Sequence, residues 1–290
     1  MKNTYIQLLK NALVFMLLCL VMISCKPKDI DIDLPLHQPK LSIFSQVIPD
    51  RVILVTVTKS FNSLAPADSS KGDSALINQL MVSNAIVTVT FAGRTETLEN
   101  TDPGIYVSTN TLQIPNEQYT LHVKDPATGL ECSATSAMLP RVDFDEVKTI
   151  IEKTTSDTNI AIEYRFTDMP AKENFYLVSY TPFRKNSKPN NNPFLSIQPV
   201  NNTYQLLSDK LFTEGKYTGK LPLDSKLGDT IAVSLTNISE AYYKYLVVYQ
   251  KSGKVFNQIT GEPIDFPTNV TNGYGFFTTH NPDVKILKLK

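Results

Sequence analysis

The chain has no tryptophan, only three cysteines and only three histidines in 290 residues. Without Trp, a carbohydrate-binding face would have to be built from the 13 Tyr and 14 Phe. His37, His122 and His280 lie far apart, and none has a partner at metal-ligand spacing. There is no Gly-x-Ser-x-Gly elbow and no glycine-rich phosphate cradle; Gly273-Tyr274-Gly275 lacks the third glycine and any βαβ context. Neither a standard α/β-hydrolase nor a nucleotide site is indicated. No long basic run occurs, which argues against nucleic acid as a partner. The uncharged run Ala12–Ser24 falls short of the roughly 20 apolar residues of a spanning helix.

That run follows Lys2 and Lys10 and ends at Met22-Ile23-Ser24-Cys25, so it reads as the apolar part of an export leader, residues 1–24. The Met22–Cys25 tetrapeptide resembles a bacterial lipoprotein lipobox. The resemblance implies cleavage before Cys25 and acylation of its sulfur and new amino group, with membrane attachment through the lipid. Removing the leader leaves 26 basic against 28 acidic residues, a formal charge of −2. Cys19 leaves with it, and Cys132 is then the one remaining thiol, which rules out an intrachain disulfide. Cys132 sits in "LECSATSAM" and reads as a small buried strand residue. Residues 25–39 form a lipidated acidic tether. Asp29, Asp31 and Asp33 share one face of an extended segment, but the turning Gly and distal Glu of a calcium loop are missing. Lys28-Asp29 and the later aspartates also resemble an export signal of surface lipoproteins.

From residue 40 the pattern has period two. Ile53/Val55/Val57, Val87/Val89/Phe91 and Tyr119/Leu121/Val123 alternate with more polar neighbours, as half-buried strands do. "TDPG" (101–104) and "DPATG" (125–129) are turns. Short strands with regular turns predict an immunoglobulin-like β-sandwich over 40–140. Pro140 in "MLPRVDFDEV" marks the boundary to a larger β-rich domain, 141–290. Its strands are expected at 160–166, 174–183, 228–238 and the C terminus, with polar loops at 62–80, 185–193 and from 148 to Asn159. One short helix is expected: Tyr242, Tyr245, Leu246 and Tyr249 recur at helical spacing, Asn237 or Ser239 can cap its start, and Lys251 and Gly253 suit its end. Gly275 among aromatics predicts a bulge or a close backbone approach.

Several stretches together resemble one family. These are the lipobox with "DIDIDLP", "NAIVTVTF…GIYVS…YTLHV", "IAIEYRFTDMPAKENFYLVSY", "LLSDKLFTEGKY", "ISEAYYKYL" and "PTNVTNGYGFF". The resemblance is to the Bacteroidota lipoproteins catalogued as the domain of unknown function DUF4249, although Asn272 stands where that family usually has the first of two glycines. Members are often encoded near TonB-dependent receptors. The resemblance therefore implies a lipid-anchored outer-membrane accessory or binding protein, with a TonB-dependent transporter as candidate partner. It brings no catalytic residue and no cofactor. The alternative is a surface lipoprotein that itself binds glycan or peptide through Tyr176, Tyr180, Phe183 and Phe194, which flank the Asn-rich loop. A β-sandwich hydrolase ranks third; its carboxylates would be Asp143, Asp145 and Glu146. Asp73-Ser74-Ala75 and Asp229-Thr230-Ile231 match a short O-glycosylation triplet, and Ser74, in an expected loop, is the better acceptor.

Overall fold

A computed structural model describes residues 38–48, 52–60, 80–108, 110–111, 113–153, 158–170, 172–183, 204–252 and 266–290, with 46–48, 52, 153, 183 and 252 described by backbone alone. The described chain is mainly β. In order, its strands are β1 (Leu41–Ile48), β2 (Val52–Lys59), β3 (Ile86–Phe91), β4 (Arg94–Thr97), β5 (Glu99–Asp102), β6 (Ile105–Ser108), β7 (Gln118–Lys124) and β8 (Glu131–Ala137). They continue with β9 (Phe144–Lys153), β10 (Thr158–Thr167), β11 (Phe175–Phe183), β12 (Tyr204–Ser208), β13 (Lys216–Leu223) and β14 (Thr230–Ile238). After the helix α1 (Glu240–Ser252) come β15 (Val270–Thr271), β16 (Gly273–Phe276) and β17 (Asp283–Lys288).

Alternation decides which side chains go inside. Val87, Val89 and Phe91 of β3 and Tyr119, Leu121 and Val123 of β7 are buried, while Thr88, Thr90, Thr120 and His122 between them are not. These residues meet Leu41 and Ile43 of β1 and Val55 and Val57 of β2 in one core. Burying each such side chain stabilises the fold by about 1.5–3 kcal/mol. The two sheets around this core run β16-β1-β2-β6-β5 and β15-β8-β7-β3-β4. With β15 and β16 set aside, that order is compatible with the immunoglobulin-like plan expected for 40–140.

A second core lies between the sheets β13-β10-β9 and β12-β11-β14-β17. Ile160, Ile162, Tyr164 and Phe166 of β10 face Tyr176, Val178 and Tyr180 of β11 and Ile231, Val233 and Leu235 of β14. β9 is a strand where the sequence reads as polar linker. It is an edge strand, and Ile150 and Ile151, adjacent in sequence, are both only half-buried, so its alternation is blurred.

The boundary expected at residue 140 divides the chain but not the sheets. After α1 the chain returns to the first sandwich, where β15 pairs antiparallel with β8 and β16 pairs parallel with β1. It then crosses back, and β17 completes the second sandwich beside β14. Residues 266–283 thus act as a strap through both halves.

Candidate interaction surface

The strap is held by side chains offered to its backbone. Ser45 Oγ on β1 accepts from Thr278 N at 2.7 Å and donates to Thr278 O at 3.2 Å. Ser136 Oγ on β8 accepts from Thr279 N at 3.1 Å. Asn269 Nδ2 donates to Thr135 O and Phe277 O, and its Oδ1 accepts from Phe277 N. Gly275 is essential to this fit. Its φ is +94°, and a Cβ there would lie 1.8 Å from Ile43 O.

Helix α1 packs where strap and sandwiches meet. Ser239 caps it, accepting from Tyr242 N through its side chain at 3.2 Å; Asn237 instead belongs to β14. Tyr242, Tyr245 and Leu246 are buried against Phe175, Leu177 and Ile238 of the second sandwich and Phe276 of the strap, with Phe44 of β1 packed alongside. The rings form a continuous row. Tyr242 is 5.2 Å from both His280 and Phe276, Tyr245 is 6.0 Å from Tyr242 and Phe266, and Tyr249 is 6.4 Å from Tyr245. Tyr245 also lies 5.2 Å from Phe276.

Two polar groups in this region are invisible to sequence reasoning because distant segments bury them. Asp283 is fully buried, and its carboxylate accepts from Arg141 Nη2 at 2.5 Å, Phe144 N at 2.9 Å and Lys285 Nζ at 3.1 Å. It ties the start of β17 to the chain leaving the first sandwich. His280 is buried too; Thr278 Oγ1 lies 3.2 Å from its Nε2, and its Nδ1 has no partner among the described residues. Burial pushes its pKa down from 6.5 to about 4.

The expected site residues fare differently. Tyr176 and Tyr180 lie in the second core, not on an exposed patch. The cause is position: β11 is an interior strand, and alternate residues from Tyr176 face the opposite sheet. Tyr176 OH bonds to Asp168, and Tyr180 OH accepts from Asp224 N at 2.7 Å. The Phe183 side chain, Phe194, Ser74 and Cys25 lie outside the described residues, as do Gly253, His37 and the three tether aspartates. His122 is half-exposed beside Glu131, 2.5 Å away. Asp143, Asp145 and Glu146 do not converge: they pair with Arg141, Thr167 and Arg165 respectively. Cys132 is buried as expected, and desolvation, aided by Glu131, pushes its thiol up to about 11, which leaves little nucleophilic thiolate. Among the described residues no three His, Cys, Asp or Glu cluster as metal ligands. Among them, too, no helix is long and apolar enough to cross a membrane, which says nothing of a β-barrel.

What remains exposed and aromatic is on the strap. Phe266 is 37% exposed and Tyr274 is 47% exposed; no other described Tyr or Phe is as open. Lys40 Nζ lies over the Tyr274 ring, 5.3 Å from its centre.

Compared with known proteins, residues 27–286 match the family model described as "Domain of unknown function (DUF4249)". No curated protein matches. Among solved structures, a chain from one titled "Cytokine receptor complex - Crystal form 1A" is similar at 8% identity and a TM-score of 0.25, covering 86% of this chain and 96% of that one. At that score the likeness decides nothing about fold or role.

Proposed function

We propose a role from the premise that this chain belongs to the family described as a domain of unknown function, DUF4249. It is a lipid-anchored accessory or binding protein of the outer membrane. It carries out no catalysis of its own and partners a TonB-dependent transporter. The observation that carries the reading is the leader ending at Ser24-Cys25. Two acylated positions on one residue supply the two anchors that stable membrane attachment needs, since each buried CH₂ contributes about 0.8 kcal/mol. The described residues weighed for chemistry have structural settings, which supports a non-catalytic reading. Cys132 is an inert thiol, Asp283 holds the strap, and the carboxylates near residue 145 are in separate surface pairs. The glycan- or peptide-binding alternative loses Tyr176 and Tyr180 to the core.

Two measurements test this. Cys25→Ala is expected to move the protein from the membrane fraction to the soluble fraction; unchanged retention removes the anchor. Gentle solubilisation of native outer membranes is then expected to recover a TonB-dependent receptor in near-stoichiometric amount. A protein recovered alone, with cross-linking also blank, overturns the transporter partnership and leaves the ligand-binding alternative.

A further inference from the structure

We infer that the strap face bearing Phe266 and Tyr274, with Lys40 over it, is a foot that rests on the lipid surface holding the anchor. This rests on the lipid-anchor reading above and adds which side of the folded body meets the bilayer. The first support is the distribution of apolar surface. Among the described residues, the other large apolar side chains that stand exposed are the aliphatic Ile86, Leu211, Leu227 and Ile286, on four different elements or loops. The two exposed aromatics belong to a single segment.

Both are tied to packed parts of the strap. Tyr274 and Phe276 flank Gly275 on β16, Tyr274 exposed and Phe276 buried against α1. The Phe266 ring lies 6.0 Å from Tyr245, which in turn lies 5.2 Å from Phe276. Thr268 Oγ1 donates to Gly275 O at 2.7 Å and fixes the segment bearing Phe266 alongside β16. Rings backed in this way are presented by a packed scaffold.

Chain length supplies the occupant. Fifteen peptide bonds separate Cys25 from Lys40. That stretch reaches at most about 50 Å when extended and spans roughly 20 Å as a coil. The first described residues therefore stay within reach of the lipid, and Lys40 is one of them. Its ammonium sits over the Tyr274 ring. An exposed tyrosine beside a lysine has the chemistry of a membrane interface, where a ring with a polar tip and a long apolar stem with a charged head both find partners.

The absence of tryptophan makes the test clean. Tyr274→Trp and Phe266→Trp each introduce a single fluorophore into the full acylated protein, and Leu211→Trp, on the turn before β13, is the control. Each is placed on phosphatidylcholine–phosphatidylglycerol vesicles with and without lipid brominated along its acyl chains. Both strap positions are expected to shift to the blue and lose about half or more of their emission to the bromine, while the control keeps its emission. If the protein binds vesicles through Cys25 but neither strap position is quenched beyond the control, the foot is overturned and the surface belongs to solvent or a protein partner. If the acylated protein does not bind vesicles, the anchor reading fails and the foot with it; if Cys25→Ala binds equally well and its strap positions are quenched, the anchor reading alone fails.

Discussion

His280 occupies a place where a charge has no counterpart. Among the described residues, its ring lies against Tyr242, Nε2 meets only the Thr278 hydroxyl, and Nδ1 has no partner. The native pKa of about 4 lies below the unfolded value of 6.5. Above pH 6.5 both states hold a neutral imidazole, and the stability is whole. Between 6.5 and about 4 the unfolded chain takes up a proton that the native state refuses, so stability falls as pH falls, by up to about 3 kcal/mol. Urea unfolding at pH 7.5 and 4.5 is expected to show this loss. In His280→Phe, which keeps a ring on Tyr242, the pH dependence is expected to flatten. At this scale the sequence is half legible. The burial of Cys132 and the half-exposed setting of His122 follow from strand alternation. The burial of His280 and Asp283 does not, because it is imposed by separate segments: α1, through Tyr242, for His280, and the chain at Arg141 and Phe144 for Asp283. The period-two pattern places Tyr176 and Tyr180 on one face of β11, but only the sheet order shows that this face is covered.

At the scale of elements, β16 is the most exacting. Gly275 approaches Ile43 so closely that any side chain must push β16 off β1, and its φ of +94° disfavours every other residue. Gly275→Ala is expected to cost about 3 kcal/mol or more, read as a lower midpoint in thermal or urea unfolding. A normal midpoint would mean that the strap yields at no cost. The close approach is legible from a glycine set among aromatics, as is the helix from its Tyr and Leu spacing, with Ser239 deciding between two capping candidates. β9 is not legible: an edge strand that buries little on either side has no strong period to display. Nor is the pairing of β16 with β1, since a parallel pair between chain positions so far apart leaves no local signal.

At the scale of the molecule, the strap and Asp283 make one body of two sandwiches, and Gln38–Lys290 is one compact unit. Asn237 Nδ2 on β14 donates to Pro140 O at 3.3 Å and adds a second tie at the crossing. A chain ending at residue 265 is expected to lose order in both halves, because β1 and β8 are left with bare edges and β14 loses β17. Aggregation and a lost cooperative transition are the measurable result. A truncated protein with a fully protected first sandwich, by hydrogen exchange, would show that the strap is dispensable.

The strap also sets a clock. Strand β1 is made long before its neighbour β16, so the edge that β16 covers stays open until the strap has been made. Leu41 must wait for Gly273, a contact of very long range, and such contacts form slowly. The strap is the key that turns the lock: until Gly273–Phe276 arrives, β1 lacks its parallel neighbour.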